Sequence, residues 1–445
     1  MLILLFELLA VAAIAIMLLC HPRRDDILAV LIGVAAGFTD LQVARVHVFT
    51  ILVFVWVLFK LARRMNKTVT LVLVLSMSTT LVASTVLIGD LVVNPTLALQ
   101  LIALTVAAAA LALYSTPDDQ RRMLHGLLFI LTFSGMVAIA QVAQIIPSEV
   151  SLIVPDQLIH LEISSIGRPS GLTPEPDWLG MMSGIGIFLA FSLDLRRWVR
   201  VLALGICSVS WLLAFARAAW VGVLIVVVLL ALPIILNRNR ALRSSFQQGR
   251  GFAVSIVAVV LAVTTVVVSG VSTDLWNRLR QTVAGAMGST VPGDDGGLAR
   301  FQQVDSLLYL AEHSPFYGHG LSAAGRVGVS GKLYLTGPSP NSVASNWVLG
   351  LWVDARYLAI PFFLLIAYVL VRSFSTLPGR ILALVCFCSL ISNATYFPVF
   401  WLALGLSLCA IAARSSREAA TPDVTTPYSS MYRSRSVRRW PGARR

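Results

Sequence analysis

Arg217 is the only charged side chain between Val201 and Leu236. A guanidinium at the centre of a membrane helix costs on the order of 2.5–3.5 kcal/mol even on a lenient insertion scale, so Arg217 is expected at the end of a tight hairpin between two helices. There it either snorkels as an interfacial anchor beside Trp211 and Trp220 or binds an anion, because its planar fork suits phosphate. Arg168 lies in the turn Gly167-Arg168-Pro169-Ser170-Gly171, just ahead of Pro174-Glu175-Pro176-Asp177-Trp178. Pro176 and Asp177 are ordinary helix-start residues, and Arg168 is either a solvated loop charge or a second anion ligand.

A third cluster, Pro315-Phe316-Tyr317-Gly318-His319-Gly320, has the glycines of a tight turn around one histidine. His319 is either solvated or serves as a general base or phosphate ligand; only His313 lies near it, without a metal-ligand pattern. The fourth cluster runs from Ser345-Asn346-Trp347 to Asp354-Ala355-Arg356, where two charges enter an apolar segment. They either offset each other at an interface or carry function, the default reading for ionisable groups inside a membrane.

The elements that must position these residues follow from composition. Of 445 residues, 57% are hydrophobic and 12% charged, well below the roughly 25% charged of a soluble domain. Runs of about 20 apolar residues without alternation exclude a β-barrel and predict an all-α polytopic membrane protein of about 12–13 transmembrane helices with one large extracytoplasmic loop. The spans are expected near 2–19, 27–39, 46–59, 68–88, 96–114, 124–146, 177–194, 200–216, 218–236, 251–270, 353–371, 381–394 and 397–413. The first is read as a retained span, because no Lys or Arg precedes it and Glu7 sits within it. The five cysteines lie in or beside apolar runs without metal or disulfide spacing, and read as packing residues.

With the N-terminus outside and the C-terminus cytoplasmic, most of the 34 Lys and Arg, among them Arg23, Lys60, Arg121, Arg122, Arg196, Arg197, Arg372 and Arg380, fall on the inner side. The net charge of +13 therefore belongs to a cytoplasmic membrane face, and no nucleic-acid partner is implied. Residues 1–146 form an N-terminal set of helices, 147–413 a second region with external loops at 147–176 and 271–344, and 414–445 a basic tail without hydrophobic period, expected to lie disordered against membrane lipid. Within the larger loop, Leu298–Glu312 is expected to form a capping helix with Phe301, Val304, Leu307 and Leu308 on one face.

In this order, the four clusters resemble the O-antigen ligase and polymerase superfamily of bacterial polysaccharide enzymes, over about residues 168–413. The family's loop Arg before a helix start looks like Arg168 through Asp177-Trp178, and its Ser-Arg-Gly-x-Trp-x-Gly looks like Ala216-Arg217-Ala218-Ala219-Trp220-Val221-Gly222. Its Arg opening a helix that ends in Pro-x-x-Gly-x-Gly looks like Arg300 through Gly320, and its His-Asn with a later Glu looks like Ser345-Asn346 through Asp354. The family His is Ser345 here, or Pro340 if Asn341 is the matching Asn, and a later Gly is Arg356, which opens polymerase-like or divergent transfer beside ligation.

The resemblance implies glycosyl transfer from a polyprenyl-diphosphate-linked saccharide donor to a glycan or glycolipid acceptor, outside the cytoplasmic membrane, with no cofactor or metal. Arg217 and Arg300, then Arg168, would hold the diphosphate, with Asn346 and Arg356 as further substrate ligands; His319, Asp354 or Asp305 would take the acceptor proton. The alternatives are a transporter or flippase of a lipid-linked saccharide, using the same arginines for binding alone, and a catalytically inactive envelope-assembly scaffold.

Overall fold

The computed structural model describes residues 23–39, 41–43, 46–60, 95–145, 168–236, 295–326 and 344–420. The expected spans 2–19, 68–88 and 251–270, and the tail beyond 420, lie outside them.

Helix starts follow local chemistry. After α1 (Arg24–Gly37), a two-residue antiparallel pair of β1 (Gln42–Val43) and β2 (Val46–His47) turns the chain into α2 (Val48–Lys60), the one departure from helix and turn among the described residues. Helices α3 (Pro95–Tyr114) and α4 (Pro117–Val142) are separated by a capping box in which the Thr116 side chain accepts from the Asp119 amide, while the Asp119 carboxylate accepts from the Thr116 amide. Pro176 opens α5 (Pro176–Ser192), which is followed by α6 (Arg197–Leu213) and α7 (Arg217–Leu236). Beyond them come α8 (Asp295–Glu312), the short α9 (Ala323–Arg326) and α10 (Trp347–Ala355). A 3-10 turn at Arg356–Ala359 then leads into α11 (Ile360–Ser373), α12 (Leu377–Cys388) and α13 (Pro398–Ala420).

Three helical stretches are long and apolar enough to cross a membrane, Leu97–Tyr114, Pro117–Val142 and Trp347–Ser373. The apolar stretches Val48–Lys60, Arg217–Leu230, Leu377–Cys388 and Pro398–Arg414 are shorter. The chain is thus mainly helical and carries membrane-spanning candidates, fewer among the described residues than the number expected. The single span expected at 353–371 is broken: α10 begins earlier, at Trp347, and the break falls at Arg356.

The helices pack around Trp56, Trp401, Phe362 and Phe400, all fully buried, while large apolar side chains such as Leu58, Phe129, Leu364 and Val371 point outward. That outward display of apolar bulk suits a lipid surround. Helices α1 and α4 approach backbone to backbone, since a Cβ on Gly33 would run into the Met123 carbonyl and one on Gly126 into that of Val30.

The bundle has two polar ends. At the basic end, Lys60 pairs with Asp119 at 3.0 Å, Arg122 with Asp26 at 2.8 Å and Arg121 with Asp194 at 3.1 Å, and Arg414 donates to Ser375 Oγ at 2.7 Å. At the other, the loop end, Gln100 donates to Gln42 at 3.0 Å, Asn393 to the Ala344 carbonyl at 3.0 Å and the Trp347 amide to the Ser389 carbonyl at 3.0 Å. Cys207, Cys386, Cys388 and Cys409 are free and buried, as their apolar surroundings suggested.

The face of α8 differs from expectation. Leu307, Leu310 and Ala311 are buried against Ala323, Ala344 and Val353, whereas Leu308 is exposed. The partner elements α9 and α10 cover the side of α8 that carries 307, 310 and 311, a three-and-four spacing that leaves 308 outward.

Candidate functional site

All four motif clusters have described residues at the loop end. Segment 168–175 is a wedge held by its own turn and by α4. The Gly171 amide donates to Gln141 Oε1 at 2.9 Å, the Leu172 amide to Ser134 Oγ at 3.0 Å, and the Thr173 amide to the Ser170 carbonyl at 3.1 Å. Arg168 is fixed by this wedge, donating from Nε to the Ala214 carbonyl at 3.0 Å and from its terminal nitrogen to Asp177 Oδ1 at 2.7 Å. Its side chain is 15% exposed and that of Asp177 9%, so the pair is largely desolvated and the guanidinium is committed to protein groups. Arg168 thus ties the start of α5 to the α6–α7 turn. Arg168→Ala leaves Asp177 buried without its cation and is expected to destabilise the protein by on the order of 3 kcal/mol. Thermal unfolding in detergent checks this: Arg168→Lys recovers part of the loss, and an unchanged midpoint for the alanine variant contradicts the clamp.

The α6–α7 turn delivers Arg217. Phe215 has a φ of +48°, and Ala214, Ala216 and Ala219 pack as a small-residue patch on α5, where a Cβ on Gly180 would come 2.5 Å from that of Ala216. Arg217, half-buried, is then the first residue of α7, at the end of a hairpin as its isolation in the sequence demanded. Trp211 and Trp220 sit edge to face at 6.4 Å beside it. A cation at a helix N-terminus adds to the positive end of the dipole, an arrangement relieved when an anion joins both.

The turn at 315–320 docks on the end of α10. The His319 amide donates to the Val353 carbonyl and the Gly320 amide to the Asp354 carbonyl, both at 2.9 Å. Gly318 has a φ of +85°, and a Cβ there would run into the Asp354 carbonyl oxygen, so the approach requires glycine. The Asp354 carboxylate is buried and accepts from the Ser322 amide at 3.1 Å and the Ala323 amide at 2.9 Å, capping α9. His319 Nε2 faces the Leu310 carbonyl at 3.1 Å, which only accepts, so that nitrogen carries the ring proton. Asn346 caps α10, its Oδ1 accepting from the Val348 amide at 3.0 Å and the Leu349 amide at 3.1 Å.

Arg356 is half-buried and adopts φ +48° and ψ −127°, with its guanidinium 4.8 Å from the Trp352 ring centroid and 5.5 Å from that of Tyr357. Arg300 lies in α8 and Asp305 on its exposed side; the Arg300 side chain falls outside the described residues.

The clusters are joined. Trp178, next to Asp177, meets Phe397 edge to face at 4.3 Å, and the neighbouring Tyr396 lies within electrostatic reach of Asp354. The ring of His47, buried at the end of β2, is hydrogen-bonded to the Tyr396 backbone. Sequence reasoning passed over His47 because a histidine opening an apolar run carries no spacing signal. Tyr396 and Phe397 were equally silent, standing at the junction of the spans expected at 381–394 and 397–413. No family model, curated protein or solved structure matches this chain.

Proposed function

We propose that the chain is a multi-pass enzyme of the cytoplasmic membrane, of the O-antigen ligase and polymerase type, transferring saccharide from a polyprenyl-diphosphate carrier to a sugar hydroxyl on the outer face. The observation that carries this reading is the placement of Arg168, Arg217, His319, Asp354 and Arg356 at one end of the bundle. The described ion pairs involving Lys60, Arg121 and Arg122 gather at the opposite end, which agrees with an outer site and a basic inner face.

In the reaction, the bond between the donor's anomeric carbon and the diphosphate oxygen breaks, and a bond from that carbon to the acceptor oxygen forms. Negative charge develops on the departing diphosphate, where fixed cations aimed at it lower the barrier. Arg217, at a helix N-terminus, and Arg300 on α8 fill that role, whereas Arg168 acts by holding the turn that carries Arg217. The acceptor proton goes to His319, because the Asp354 carboxylate is buried and turned to the Ser322 and Ala323 amides.

Purified protein, incubated with polyprenyl-diphosphate oligosaccharide, is expected to lose turnover by roughly 10²–10³-fold in Arg217→Ala and in Arg300→Ala, the scale set by removing one fixed charge-stabilising donor. Both variants should retain the wild-type melting midpoint. If folded variants turn over like wild type, the assigned roles are wrong; if wild type binds the lipid-linked saccharide without any release, transport or scaffolding replaces the enzyme reading.

A further inference from the structure

The cations at the basic end differ in what balances them. On α2 and α4 they are matched by carboxylates, Lys60 by Asp119, Arg122 by Asp26 and Arg121 by Asp194. Arg372 near the end of α11, Arg380 in the first turn of α12 and Arg414 on α13 form no ion pair among the described residues. They are nevertheless drawn together. Arg414 Nη1 donates to Ser375 Oγ at 2.7 Å and to the Arg372 carbonyl at 3.4 Å, and Arg380 Nη2 donates to the Ser375 carbonyl at 3.3 Å. Two guanidinium groups from different helices thus meet at one residue, against their mutual repulsion.

The turn that gathers them is built to hold its shape. Ser373 Oγ donates to the Val369 carbonyl at 2.6 Å, Thr376 Oγ1 to the Ser373 carbonyl at 2.6 Å, and the Gly379 amide to Thr376 Oγ1 at 3.2 Å. A Cβ on Gly379 would run into the Ser373 carbonyl, so the end of α11 and the start of α12 touch backbone to backbone. Bonding to carbonyls at the end of α11 accounts for only part of what these side chains offer. Each guanidinium has five N–H donors, and Arg380 Nε is buried without an acceptor. Phosphate is the complement of such a pair, because its oxygens accept from two planar forks at once and its charge removes their repulsion. Val371, which precedes Arg372, is apolar and largely exposed. The arginines therefore stand where the lipid-facing surface gives way to the polar turn, at the level of lipid headgroups.

We infer that Arg380 and Arg414, with Arg372 at their edge, form a binding site for a phosphodiester, the headgroup phosphate of an anionic glycerophospholipid in the leaflet at the basic end. The bound phosphate ties α12 to α13 across the 373–376 turn. The site lies at the opposite end of the bundle from the proposed transfer chemistry and does not depend on it.

Binding of dioleoylphosphatidylglycerol to the purified full-length protein in uncharged detergent tests this, read by native mass spectrometry and by the melting midpoint, which a bound ligand raises. Wild type is expected to prefer it to dioleoylphosphatidylcholine, and Arg380→Gln/Arg414→Gln to weaken binding by roughly 10–100-fold, the scale of lost charge-assisted contacts to phosphate. Glutamine keeps a donor for Ser375; should the double variant still fail to fold, Arg414→Gln alone, a change at an exposed side chain, is expected to weaken binding about tenfold. Arg196→Gln/Arg197→Gln removes the same charge from exposed side chains of the same end and should leave binding as in wild type. Inorganic phosphate should not compete. Undiminished binding by the folded variants, or an equal loss in the Arg196 and Arg197 control, overturns the site and leaves only the general attraction of a basic face for anionic lipid. Displacement by inorganic phosphate as effective as by the lipid overturns the lipid assignment and makes free phosphate the ligand.

Discussion

Replacing Asp119 with alanine is expected to destabilise the protein by about 3–5 kcal/mol, the cost of leaving a buried partner charge uncompensated. Lys60 Nζ lies 3.1 Å from one Asp119 oxygen and 3.0 Å from the other, and the two side chains are only 4% and 2% exposed. Asp25, at 3.9 Å from Lys60, is too distant and too exposed to take over the role. The same carboxylate closes the capping box of α4 by accepting from the Thr116 amide at 3.0 Å and hydroxyl at 2.7 Å, so its loss also frays that helix start. Thermal unfolding in detergent should show a marked drop for Asp119→Ala and recovery of most of it in the Lys60→Met/Asp119→Leu double variant, since apolar packing can substitute for a buried ion pair. A single variant as stable as wild type would mean that water reaches the pair.

Gly318→Val is expected to abolish the proposed saccharide transfer while leaving the membrane bundle folded. A β-branched side chain at a φ of +85° is disfavoured, and its Cβ would run into the Asp354 carbonyl oxygen. The turn must therefore lift from α10, giving up the hydrogen bonds from His319 and Gly320 to Val353 and Asp354 and moving the His319 ring from its place beside Leu310. A loss of well over 10²-fold in turnover is expected, because misplacing a catalytic group by about 1 Å already costs on that order. Limited proteolysis should show new cleavage near 313–320, with the global melting midpoint shifted only slightly. Normal turnover would remove this turn from the site.

The sequence made much of this arrangement legible. Apolar runs placed the helices at 95–114, 176–192, 197–213 and 217–236 to within three residues, whereas the helices expected from 124 and 381 begin earlier, at Pro117 and Leu377, because their polar first turns carry no hydropathy signal. The isolation of Arg217 placed it at a hairpin tip on energetic grounds alone. The break at Arg356 was hidden because both flanking segments are apolar, so hydropathy runs through it. Partner choice was equally hidden: Lys60 finds Asp119 across 59 positions, and Arg168 divides its donors between Asp177 and the Ala214 carbonyl, pairings that only helix packing creates. Asn346 and Asp354, read as substrate-facing, spend their oxygens on backbone amides of helix starts, a use that Asn and Asp share with ligand binding and that no spacing distinguishes.

The proposed transfer of saccharide off a lipid diphosphate at the loop end has a fixed stoichiometry. Wild-type protein reconstituted in liposomes with polyprenyl-diphosphate oligosaccharide should release one free carrier diphosphate for each new glycosidic bond. Glycan-carrying lipid that crosses the bilayer intact, with no free carrier diphosphate formed, would make the protein a transporter instead.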